Sequence, residues 1–145
     1  MQPKNRTPLA LLVSAVLACA GTAIADEHGG AKMTTHKGAA DMELASMGIE
    51  GIEAALSDII TSDENAPLTC GLFSLAKSNP LEYTYTYNEA KFIVSGEMTL
   101  AEEGGETFHA TAGDIIYFDK GAKITFTSDS SGLAFFCGQR AKGEL

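Results

Sequence analysis

The sequence predicts an all-β fold, a sandwich or barrel, and three features beyond Leu68 carry that prediction. Turn residues recur at close spacing: Gly104-Gly105, Asp119-Lys120-Gly121 and Ser128 to Gly132. Leu81, Tyr83, Tyr85 and Tyr87 alternate with Glu82, Thr84 and Thr86, so one face is aromatic and the other polar, with the period of a strand. Ile115 to Phe118 is a continuous apolar run, the composition of a buried strand.

The elements follow in order. Residues 1–25 carry Lys4 and Arg6, a mostly apolar run from Leu9 to Ala20, and Ala23 and Ala25 at an A-x-A cleavage site, which reads as a secretory signal peptide. A periplasmic or secreted location is expected. Cys19, after Val16-Leu17-Ala18, offers lipid anchoring as an alternative, although Leu17 is bulky for such a site. Residues 26–48 are rich in Gly, Ala, Thr and charge and are expected to form a flexible leader. In 49–67, Ile49, Ile52, Leu56, Ile59 and Ile60 suit a helix, while the β-branched residues also allow a strand. A loop follows at 61–67. The β-domain is then expected over 68–145, with eight strands, among them 90–95, 97–101, 107–111 and 133–138. Gly104 and Gly105 supply a tight hairpin between two of these strands.

Charge excludes some partners. The 145 residues hold ten Lys plus Arg against nineteen Asp plus Glu, a net −9. Cleavage after Ala25 leaves 120 residues with eight basic against nineteen acidic side chains, or −11. Such a charge repels phosphate backbones and anionic lipid, so nucleic acid and acidic membrane surfaces are not expected partners. Beyond the first 25 residues no apolar run approaches the ~20 residues of a spanning helix. Hydrolase, kinase and dehydrogenase motifs are absent from the sequence.

Tyr83-Thr84-Tyr85-Thr86-Tyr87-Asn88-Glu89, followed after six residues by Gly96, has the spacing of one cupin motif. Ala112-Gly113-Asp114, an apolar strand and Asp119-Lys120-Gly121 have the form of the other. The chain therefore resembles the cupin superfamily and, in detail, the ethanolamine-utilisation (EutQ-type) cupins. The resemblance implies a single jelly-roll barrel, and it allows a homodimer formed through the strands. It places the usual metal-ligand histidines on Tyr83, Tyr85 and Ile124 and the acid on Glu89. Isoleucine has no donor atom and neutral tyrosine is a poor ligand, so no metal or other cofactor is expected in the barrel. EutQ-type cupins likewise lack the histidine set, but they belong to a cytoplasmic pathway, whereas this chain carries an export signal.

With Glu89 pointing inward, period two brings Lys91 to the same side, and Tyr83 and Tyr85 lie near. Together with Tyr117, whose hydroxyl is expected at a partner or the cavity rim, they could bind a small polar or amine-containing ligand. Glu89 with Lys91 or a tyrosine could instead serve a metal-independent isomerase or lyase, or the pair could be purely structural. His109 has no partner histidine and reads as a surface residue. In a jelly roll of this resemblance Cys70 and Cys137 lie on antiparallel neighbours, open to a disulfide in an oxidising compartment or to two buried thiols. Cleavage after Ala25 would also expose Asp26-Glu27-His28, in which the α-amine, two amides and the His28 imidazole suit planar Cu or Ni, a periplasmic copper-binding alternative.

Overall fold

A computed structural model describes residues 33–62, 65 and 67–145. Nine antiparallel strands account for nearly all the regular structure among them. They are β1 (Ala45–Ser46), β2 (Ala54–Thr61), β3 (Thr69–Ala76), β4 (Leu81–Thr84), β5 (Glu89–Glu102), β6 (Thr107–Thr111), β7 (Ile115–Phe118), β8 (Lys123–Thr127) and β9 (Ser131–Gly138). One short 3-10 turn, Ala39–Asp41, precedes them.

The strand order is β1-β2-β3-β9-β5-β8-β4, with β6 and β7 also paired to β5. The 14-residue β5 belongs to two sheets. Its first half pairs with β9 and β7, its second half with β6 and β8. Two separate strands, 90–95 and 97–101, were expected here. Gly96 is instead the corner of one strand, with φ at 70° and the β9 register shifting between Ile93 and Ser95. Its missing side chain matters, because a Cβ there would overlap the Ser131 carbonyl.

The stretch 49–67, open between helix and strand in the sequence, holds β2, paired with β3 from Ala54 to Thr61. The sheet therefore starts at β1, inside the expected leader and well before residue 68. Sheet pairing decides this, because Ala54 and Leu56 face the core beside Leu75 and Phe73. Residues 35–145 form one compact unit. Ile93, Met98, Phe126, Ala134 and Phe136 are almost wholly enclosed between the sheets.

Past β9 the chain folds back onto β2. The Arg140 guanidinium donates to both carboxylate oxygens of Asp58, at 3.0 and 2.6 Å, and Gly143 N–H adds a third bond at 2.8 Å. The Arg140 carbonyl accepts from the buried Thr69 hydroxyl at 2.7 Å. Cys70 and Cys137 are directly opposed on β3 and β9 and are joined by a disulfide.

Candidate functional site

The alternation of β4 runs on past its last ladder bond, because Tyr85 N–H donates to the Ala122 carbonyl and Gly121 N–H to the Tyr85 carbonyl. Tyr83, Tyr85 and Tyr87 are therefore delivered to one side, inside the barrel. Tyr85 packs edge-on against Tyr83 and Tyr87, with centroids 4.9 and 5.9 Å away, and stacks on Phe118 at 4.5 Å. The Tyr83 and Tyr87 hydroxyls share a hydrogen bond of 2.8 Å.

From the neighbouring sheet, β5 contributes Glu89 and Lys91 at period two, both buried. Lys91 Nζ donates to Glu89 Oε1 at 2.7 Å, and Tyr85 donates to the same oxygen at 3.2 Å. The ammonium also lies 4.8 and 4.9 Å from the Phe73 and Phe136 ring centroids. Burial pushes the Lys91 pKa below its usual value, against the opposing pull of Glu89. Burial raises Tyr85, and the Glu89 charge and hydrogen bond raise it further; burial and the Tyr83 hydrogen bond do the same for Tyr87. Burial raises Tyr83 as well, despite its bond to Tyr87. All three phenols are neutral at physiological pH.

Met47, Leu56, Leu81, Phe126 and Leu145 complete the wall of the inner cavity, whose free volume is about 20 Å³. That is room for roughly one water molecule. The cavity shares Met47, Leu56 and Leu145 with an outer groove of about 530 Å³, also lined by Met42, Ser57 and Lys142. Asp58 also lines that groove, whereas of the two spaces Tyr83, Tyr85, Tyr87, Glu89 and Lys91 line the inner cavity alone.

Residues 27–137 match the ethanolamine utilisation protein EutQ family. The chain belongs to the EutQ family. The acetate kinase EutQ of Escherichia coli K12 is 32% identical over 76 residues, 52% of this chain and 32% of that protein, so this EutQ-family chain spans about a third of that relative. The Clostridium difficile EutQ structure superposes with a TM-score of 0.60 at 20% identity, over 70% of this chain and 76% of that one. A cupin superfamily protein of Desulfitobacterium hafniense DCB-2 gives a TM-score of 0.55 at 13% identity, over 75% and 93% of the two chains. The fold of this EutQ-family chain is the cupin jelly roll.

Four of the predicted site residues, Tyr83, Tyr85, Glu89 and Lys91, come together around the cavity. Tyr117 does not. Glu89 and Lys91 face inward opposite Phe118 and Ile116, so the alternation of β7 turns Tyr117 outward, where it is 61% exposed. Ile124, at the fourth motif position, is packed in the hydrophobic core. Among the described residues no group of three or more His, Cys, Asp or Glu is placed to hold a metal ion. His109 is exposed, with Nδ1 3.1 Å from the Thr99 hydroxyl. His28, Cys19 and the cleavage site lie outside the described residues.

Two members of the site were missed. Tyr87 follows from the same alternation as Tyr83 and Tyr85 and was legible in it. Arg140 was not, because it lies beyond the last strand in no motif. It is almost wholly buried, with its guanidinium 5.6 and 5.2 Å from the Tyr87 and Phe136 ring centroids.

Proposed function

We propose that this EutQ-family cupin domain is exported and binds a small polar ligand at the barrel mouth. The polar head of the ligand would bond to the Tyr83–Tyr87 hydroxyl pair, and its apolar part would lie along Met47, Leu56 and Leu145. One observation carries the reading: a buried set of ionic and phenolic groups shares three apolar wall residues, Met47, Leu56 and Leu145, with a groove of ligand-like volume. Lys91 already occupies the place an ammonium would take beside Glu89, so the arrangement favours a neutral hydroxyl or amide head over an amine. Catalysis by Glu89 and Lys91 is not part of the reading, because the space beside them accommodates little more than a water molecule. The acetate kinase activity of the longer relatives is not part of it either, because this chain matches only about a third of the Escherichia coli protein. Export is supported by the N-terminal sequence and by the Cys70–Cys137 disulfide, a bond typical of oxidising compartments.

The test is a thermal-shift screen of the full chain against small alcohols, amides and amines, ethanolamine among them. A binder at a hundredfold excess over its Kd should add about 2.7 kcal/mol of stability. The paired variant Tyr83→Phe/Tyr87→Phe should lose that shift while keeping its unliganded melting temperature. A shift that survives the double substitution would place the ligand elsewhere, and no shift from any compound would reject the binding reading.

A further inference from the structure

Phe108 faces inward but is not covered. On β6 it shares the alternation of Ala110, and the two stand opposite Leu100 and Met98 of β5. Ala110, Leu100 and Met98 are buried, whereas Phe108 is 55% exposed. An inward aromatic ring left in water marks a place where the two sheets do not close over their core.

The topology makes that opening. β6 pairs with the second half of β5 and β7 with the first, so the turn between them carries the chain from one sheet to the other. Among the described residues β6 and β7 form no ladder with each other. The cleft at this edge has a volume of about 210 Å³, roughly ten times that of the inner cavity. Leu100, Ile116, Phe118 and Ile124 line it together with Phe108. It shares no lining residue with the inner cavity, and the stacked Phe118–Tyr85 pair divides them, Phe118 lining the cleft and Tyr85 the cavity.

Two charged side chains also line the cleft, Glu102 and Asp119, both exposed. Among the described residues neither carboxylate takes part in a salt bridge. Lys123 is engaged by Glu103 at 2.7 Å, and Lys120, next to Asp119 in the chain, makes no ion pair.

We propose that this cleft binds a small organic ammonium ion carrying an aromatic or branched aliphatic group, with the hydrocarbon against Phe108 and Ile116 and the ammonium paired with Glu102 and Asp119. Each part of the lining selects one part of the ligand. The apolar wall takes the hydrocarbon out of water, and an exposed aromatic ring attracts a cation. Two unpaired carboxylates repel an anion and favour a positive charge, and the net charge of −9 concentrates cations around the protein. The volume, below the ~300 Å³ at which drug-sized sites begin, limits the ligand to a small molecule.

Isothermal titration of the full chain with benzylammonium should give saturable binding of one ion per chain. Benzyl alcohol, nearly the same shape without the charge, should bind at least about fivefold more weakly. Phe108→Ala should raise the Kd about tenfold, and Glu102→Gln/Asp119→Asn about as much. Both variants alter exposed side chains, so circular dichroism should not change. Equal binding of the alcohol overturns the cation assignment. No saturable binding, or binding indifferent to both cleft variants, overturns the site. Binding that survives both but is lost in Tyr83→Phe/Tyr87→Phe also overturns it and assigns the amine to the inner cavity.

Discussion

Lys91 Nζ lies 2.7 Å from Glu89 Oε1, and the two side chains are 5% and 3% exposed. Two charges withdrawn from water to this extent are tolerated only together. Glu89→Gln and Lys91→Met should each cost about 3 kcal/mol or more, because each strands the other charge. The double variant should be less destabilised than the sum by at least ~1 kcal/mol. Urea unfolding of the four proteins completes the cycle, and additive losses would show that the charges are not coupled.

Asp58 gives a pH dependence of known sign. Burial raises its pKa, but the hydrogen bonds from Arg140 and the Gly143 amide, with the charges of Arg140 and Lys142, outweigh burial and hold it below the usual 3.8. A carboxyl depressed in the folded state adds stability that is fully present above the unfolded pKa and is lost as pH falls through the folded one. The stability advantage of the wild type over Asp58→Asn should therefore be flat above about pH 5 and shrink steadily below 3.8. Denaturation midpoints of both proteins from neutral pH into acid measure it. An advantage that persists unchanged at the acid end would assign the effect to packing instead of charge.

The Cys70–Cys137 disulfide closes a loop 67 residues long, for which chain entropy gives ~4 kcal/mol. Cys70→Ser/Cys137→Ser should lower the melting temperature by on the order of 15 °C. Reductant should reproduce the loss in the wild type and leave the double variant unaffected. Equal melting temperatures with and without the bond would refute the estimate.

Gly96 turns β5 from one sheet into the other at a φ of 70°, close against the Ser131 carbonyl. Gly96→Ala meets both a left-handed backbone and a steric overlap, and should cost at least ~2 kcal/mol. Gly104 shares the positive φ, at 72°, but has nothing near its missing side chain. Gly104→Ala should therefore cost less by the overlap alone, as chemical denaturation of the pair would reveal. Equal losses would mean that the Ser131 contact relaxes freely.

The sequence by itself determined the all-β class, most of the strands beyond Leu68 and one side of the site. Alternation at Leu81 to Tyr87 and at Glu89 to Lys91 is local chemistry, and period two converts it into facing side chains without further information. The motif spacing likewise led to the family and to the missing histidines, since Tyr83, Tyr85 and Ile124 can be read position by position. Pairing across long separations belonged to the tertiary structure. Residues 54–61 have both helical and strand patterns, and only the β3 ladder selects strand. Tyr117 lies in an all-apolar run, where alternation is silent about which face is inside, and the β5 register turned it to the surface. Arg140 entered the core because Asp58, 82 residues earlier, awaited its guanidinium. Such a pair is invisible in sequence: each partner is an ordinary charged residue until folding brings the two together and removes the water between them.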